Sequence, residues 1–143
     1  MTRAILDDHL LRDLLVDDLP AELDVILAEH EPATTNHYLL RLCKSVVSAP
    51  GGALTGAWSA EQRRALGSQL VALGHDVEVP PMRTLAYRMA ELASDHRVST
   101  LGAEAVAAAE NLGAPLCVWS GDDGPGIRAA MVTLGEDYRT VDR

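Results

Sequence analysis

Two acidic pairs, Asp7-Asp8 and Asp122-Asp123, stand just beyond short apolar runs in this 143-residue chain. Ala4 to Leu6 runs directly into the first pair, and Pro115 to Trp119 reaches the second after Ser120 and Gly121. If both runs are strands of one parallel sheet, both pairs emerge at its carboxyl edge, where open α/β sheets bind ligands. Carboxylates gathered there repel one another unless a hard cation neutralises them. Mg²⁺ or Mn²⁺ takes carboxylates together with waters and phosphate oxygens, and such an ion can activate water and offset the charge of a phosphodiester under attack. Asp7, Asp8, Asp122 and Asp123 are therefore the candidate metal ligands. The competing explanation is local, since Asp is favoured at helix N-termini and in tight turns, and it weighs most on Asp123. His9 and His37 fall near the same edge, where a neutral imidazole can bind a transition metal or act as a base. For His30, His75 and His96, each near an expected helix end, interaction with the helix dipole suffices.

The elements that must position these groups follow from hydrophobic periodicity. Leu10, Leu11, Leu14 and Leu15 repeat at helical spacing from about His9. Pro20 opens a second helix striped by Leu23, Ile26 and Leu27, and Pro32 is expected to stop it. Thr34 or Thr35 can cap a third, lined by Leu39, Leu42 and Val46. Residues 49–58 carry Pro50, Gly51, Gly52 and Gly56 and read as a flexible connection. Ser59 with Gln62 forms a capping box for a helix through Leu66, Leu70 and Leu73 that Gly74 is expected to close. Val77 to Val79, bounded by Pro80, reads as a second strand. A helix from about Met82 to His96 follows, then an Ala-rich one ended by Gly113, then the apolar strand to Trp119. Ile127, Ala130, Met131 and Leu134 stripe the last helix, and Tyr138 to Val141 supplies an edge strand. Strands separated by helices imply a single domain over residues 1–143, α/β in class. The architecture is three-layer α/β/α around a short, mostly parallel central sheet with right-handed crossovers.

Composition narrows the function. The chain is 48% hydrophobic and 23% charged, and it holds no apolar run of the length a membrane span needs. Met1 to Asp8 has no signal-peptide character, so a cytoplasmic location is expected. Cys43 and Cys117 are far apart and suggest neither disulfides nor a zinc knuckle. The net charge of -9 repels nucleic-acid phosphates at long range, so contact with RNA needs a metal, a local basic patch such as Arg63-Arg64 or Arg83 with Arg88, or a basic partner. Phe is absent and aromatics make up 3%, so stacking platforms for single strands are scarce. The 121–126 turn lacks the Gly-Lys-Ser/Thr ending of a nucleotide loop.

Ile5-Leu6-Asp7, then Leu101-Gly102-Ala103-Glu104-Ala105-Val106-Ala107-Ala108-Ala109, then Leu116-Cys117-Val118-Trp119-Ser120-Gly121-Asp122, resemble the PIN-domain ribonuclease pattern in order and spacing. The resemblance implies a PIN-like fold and Mg²⁺- or Mn²⁺-dependent cleavage of RNA. For toxin-type members it also implies an antitoxin or other basic protein partner; a homodimer is a further expectation. Asp7 matches the family's first acid, Asp122 a later one, and Ser120 the usual Thr or Ser of that turn. Two acids are missing. The helix acid falls within residues 36–41, which hold no carboxylate, leaving Asn36 as a neutral stand-in and Thr35 and His37 beside it. The acid of the Ala-rich helix falls on Gly102, and Glu104, two residues later, is turned roughly 200° around the helix from that position and away from the site. The gap leaves two expectations: a metal-dependent endoribonuclease, or a catalytically silent PIN-like module that binds or regulates through a protein partner.

Overall fold

The computed structural model describes residues 1–48 and 52–143, so Ala49, Pro50 and Gly51 of the Gly-rich connection lie outside the described residues. Four strands form one sheet: β1 (Thr2–Leu6), β2 (His30–Ala33), β3 (Leu116–Trp119) and β4 (Tyr138–Val141), in the order β2-β1-β3-β4. All three pairings are parallel. Eight helices among the described residues surround it: α1 (Asp8–Leu15), α2 (Ala21–Glu29), α3 (Asn36–Val47), α4 (Gly52–Thr55), α5 (Ala60–Val71), α6 (Met82–His96), α7 (Thr100–Leu112) and α8 (Pro125–Thr133). The fold is α/β, with three layers. Among the described residues no helix is long and apolar enough to cross a membrane.

Central strands covered on both faces must be apolar where they are buried, as residues 4–6 of β1 and Leu116–Trp119 of β3 are. Successive side chains alternate between faces. Ile5, Leu116 and Val118 pack with Leu85, Met89 and Leu92 of α6, the alanines of α7 and Met131 of α8. Ala4, Leu6 and Cys117 pack with Leu10 of α1 and Leu23 and Ile26 of α2. A third cluster beside the sheet joins Leu11 of α1, Leu42 of α3, and Leu66 and Leu70 of α5. The small side chains of Ala103, Ala105 and Ala107 to Ala109, all buried, let α7 lie close to the sheet. Gly113 ends α7 at φ 58°, the left-handed conformation glycine adopts without strain.

Three sequence expectations are corrected. Pro32 does not merely stop α2. That helix ends at Glu29, and Pro32 lies inside β2 opposite Ala4. A proline lacks the ladder donor, yet an edge strand tolerates it. Val77 to Val79 is not a full strand. Glu78 alone bridges to Ala33: its N–H donates to Pro32 O (3.2 Å), while its carbonyl accepts from Thr34 N–H (2.9 Å). The segment thus covers the outer edge of β2 that would otherwise be open for pairing. The helix launched by Ser59 ends at Val71 with an Ala72 cap, before Gly74.

Candidate metal centre

β1 delivers Asp7 to the carboxyl edge of the sheet as the N-cap of α1. One carboxylate oxygen accepts from Leu10 N–H (2.9 Å) and the other from Trp119 N–H (3.0 Å), so Asp7 clasps the ends of β1 and β3 together. Burial pushes its carboxyl up to about 7, against those two hydrogen bonds and with help from the charge of Asp8. Asp8 opens α1 and is fully buried. Its Oδ1 accepts from His9 N–H (3.0 Å) and meets His9 Nδ1 (3.2 Å), while Oδ2 lies 3.3 Å from Arg41 Nε of α3 without hydrogen-bond geometry. Burial raises the Asp8 carboxyl, but His9 and Arg41 outweigh it and hold the group below the ordinary range.

Asp122 arrives from the other side, at the end of a short 3₁₀ turn (Ser120–Asp122) that follows β3. Its Oδ2 is 3.9 Å from His9 Nδ1. The imidazole of His9 rests on the Trp119 indole, ring centroids 4.5 Å apart and tilted by 37°. That indole folds back over Gly121, where an added Cβ would clash with its six-membered ring, so the glycine makes room for the support under His9. Asp7, Asp8, His9 and Asp122 each offer a ligand atom, and the four atoms lie within 4.8 Å of one another. Opposite ligands of one octahedral Mg²⁺ are about 4.2 Å apart and adjacent ones about 3 Å, so the four side chains would draw closer together to share one ion. Asp8 Oδ2, buried and without a hydrogen-bond partner, is the orphaned acceptor such a cation would satisfy. The donor set can hold a metal ion.

Asp123, His37 and Glu104 are not among the clustered groups. Asp123 turns away to Arg128 Nη2 (2.6 Å) and the Tyr138 hydroxyl (2.7 Å), whose hydrogen bonds hold its carboxyl below the usual range; it ties the turn to α8 and β4. Ser120 begins the 3₁₀ turn. Thr35 N-caps α3 by accepting from Tyr38 N–H (3.1 Å), and the Thr34 hydroxyl donates to Leu6 O (2.8 Å), pinning the start of α3 beside the end of β1. The Asn36 side-chain NH₂ donates to Glu104 Oε2 (2.8 Å) and Pro80 O (2.9 Å), tying the start of α3 to α7.

Glu104 is the largest surprise among the sequence candidates. Its buried carboxylate accepts from the backbone N–H groups of Asn36 (3.0 Å) and His37 (2.8 Å), and His37 Nδ1 meets the same group at 2.6 Å. Burial raises its carboxyl, but these hydrogen bonds win and lower it. Glu104 is not among the four clustered groups. Position 102 faces Ile127 and Val98, where an added Cβ would be crowded, whereas Glu104 reaches the start of α3 at the sheet edge. Sequence reasoning passed over Arg41 and Tyr38. Tyr38 is buried, and desolvation with the charges of Asp7, Asp8 and Asp122 drives its hydroxyl well above the normal value. The signal was their three-residue spacing, which puts both on one face of α3.

No protein-family model matches the chain, and no curated protein matches it.

Proposed function

We propose that the protein is a PIN-like, divalent-metal phosphodiesterase acting on RNA in the cytoplasm, with Asp7, Asp8, His9 and Asp122 as its metal-holding residues. The observation that carries this reading is the convergence of those four donors at the carboxyl edge of a parallel sheet. The mixed carboxylate and imidazole set suits Mn²⁺, with Mg²⁺ as the harder alternative. A cation held there supplies Lewis-acid polarisation of a phosphoryl oxygen and water acidified toward neutral pH. The chain's own residues do the positioning. Asp7 fixes the separation of β1 from β3, Trp119 and Gly121 set the plane of His9, and exposed Asp122 closes the site from the solvent side.

A second reading is favoured by one specific contact. Arg41 beside Asp8 supplies positive charge to the cluster from within. In that reading the protein is a silent PIN-like module, and its net charge of -9 suits a basic protein partner such as an antitoxin. Mn²⁺ titration by calorimetry, paired with cleavage of a mixed-sequence single-stranded RNA, separates the two. The nuclease reading expects saturable binding and cleavage, both lost in Asp122→Ala, a substitution at an exposed position. Absence of binding at millimolar Mn²⁺ removes it in favour of the silent module.

A further inference from the structure

Beside the acid cluster lies a cavity of about 320 Å³ lined by His9, Arg41, Lys44, Ser45, Ser48 and Leu54. Arg41, Lys44 and Ser48 follow one another on α3 and its cap at the three- and four-residue steps that line one helix face. Lys44 is the only lysine of the chain, is exposed, and has no ion pair among the described residues. The helix dipole explains a cation in a last turn, but not one that lines a concavity together with an arginine. The guanidinium of Arg41 is half exposed and sits 3.3 Å from Asp8 without hydrogen-bond geometry, so most of its donors remain available. Two cations and the Ser48 hydroxyl around this hollow are the chemistry that receives a phosphate group, which arginine grips in bidentate fashion.

We propose that this cavity is a phosphate-binding site, in which Arg41 leaves Asp8 to hold the phosphate together with Lys44. Its use as a substrate subsite, receiving a backbone phosphate next to the one cleaved, rests on the nuclease reading above. Phosphate binding itself does not. In the resting protein Arg41 serves as a counter-ion for Asp8; with a phosphate in the cavity it faces a stronger partner on its other side. Arg41 thereby couples the occupancy of the hollow to the charge of the cluster.

Having one lysine makes the test direct, because an amine-reactive reagent can modify only Lys44 and the terminal amine, and peptide mass mapping reads them separately. The 143-residue chain is labelled in EDTA at low salt, alone and with a 2′-O-methyl single-stranded oligonucleotide that resists cleavage. Inorganic phosphate and polyglutamate are run in parallel. The expected result is a roughly threefold or greater slowing at Lys44 by the oligonucleotide, absent at the terminal amine and lost as salt rises. Arg41→Ala should weaken oligonucleotide binding and reduce the logarithmic salt slope by about 0.7, the loss of one phosphate contact to a single strand. Equal slowing by inorganic phosphate at matched concentration assigns the site to free phosphate. Unchanged labelling with every phosphate ligand, or equal protection by polyglutamate, overturns the proposal. Mn²⁺ titration of the unlabelled protein in EDTA-free buffer keeps the two readings apart. Binding of Mn²⁺ with Lys44 unprotected removes the phosphate site alone, and protection of Lys44 without Mn²⁺ binding removes the nuclease reading alone.

Discussion

Asp7 holds two strands and a helix through a carboxylate that burial resists ionising, and this conflict is measurable. Its carboxyl is raised from 3.8 to about 7 in the folded chain, so between those values the folded state binds more protons than the unfolded one. The contribution is fully present below 3.8 and is lost as pH rises through about 7. Urea unfolding in EDTA should show stability falling from about pH 5 to about pH 7.5, a range above the depressed carboxyls of Asp8, Asp123 and Glu104. Asp7→Asn should flatten that decline; an unchanged slope in the variant would assign it to other groups. Glu104 is the opposite case, a buried carboxylate satisfied as an ion, whose contribution is lost as pH falls through its lowered value. Glu104→Ala would strand two partly buried backbone N–H groups and should destabilise by about 2 kcal/mol, readable as a shift of the urea midpoint at constant slope. Asp7 and Asp122 were legible in the sequence because strand ends in parallel sheets are predictable places. The task of Glu104 was not, since it depends on α3 starting beside the first turns of α7, a juxtaposition that no local pattern encodes.

At the scale of elements, α3 is the piece on which the site turns. It brings Tyr38 and Arg41 to the cluster and Lys44 to the neighbouring cavity, and it is anchored three times at its start. Thr34 holds the end of β1, Thr35 caps the first turn, and Glu104 accepts from the next two donors. Removing the cap with Thr35→Ala should lower stability by about 1 kcal/mol. The loss should be clearly smaller than that of Glu104→Ala, with Mn²⁺ affinity little changed, because the other two anchors keep Arg41 beside Asp8. Thermal unfolding and calorimetry on the two variants check the ranking; a Thr35→Ala protein that loses metal binding would show the cap itself to be decisive. Most helices were visible from period and caps, as in Ser59 with Gln62 and in Gly113. β2 was not. Four residues containing a proline carry too little alternation to read as a strand, and they become one only because β1 lies on one side and Glu78 covers the other.

For the whole molecule, the balance of 21 acidic against 12 basic residues sets the terms of folding and of binding. Self-repulsion at net -9 destabilises the compact state, so salt alone should raise the melting temperature by screening. A divalent ion held by Asp7, Asp8, His9 and Asp122 adds a contribution of a different kind, because it binds the folded chain at one place. At ten times its dissociation constant that contribution is about 1.4 kcal/mol, or roughly 4 °C for a chain of this size. The expectation is a melting temperature higher in Mn²⁺ than in NaCl of equal ionic strength, and higher still relative to NaCl above pH 7, where ionised Asp7 most needs a counter-charge. Asp122→Asn, which alters an exposed ligand and leaves the clasp of Asp7 intact, should remove the excess while keeping the screening part. Identical melting curves in Mn²⁺ and matched NaCl would mean that Arg41 already offsets the charge of the acids, and that this sheet edge serves recognition and not hydrolysis.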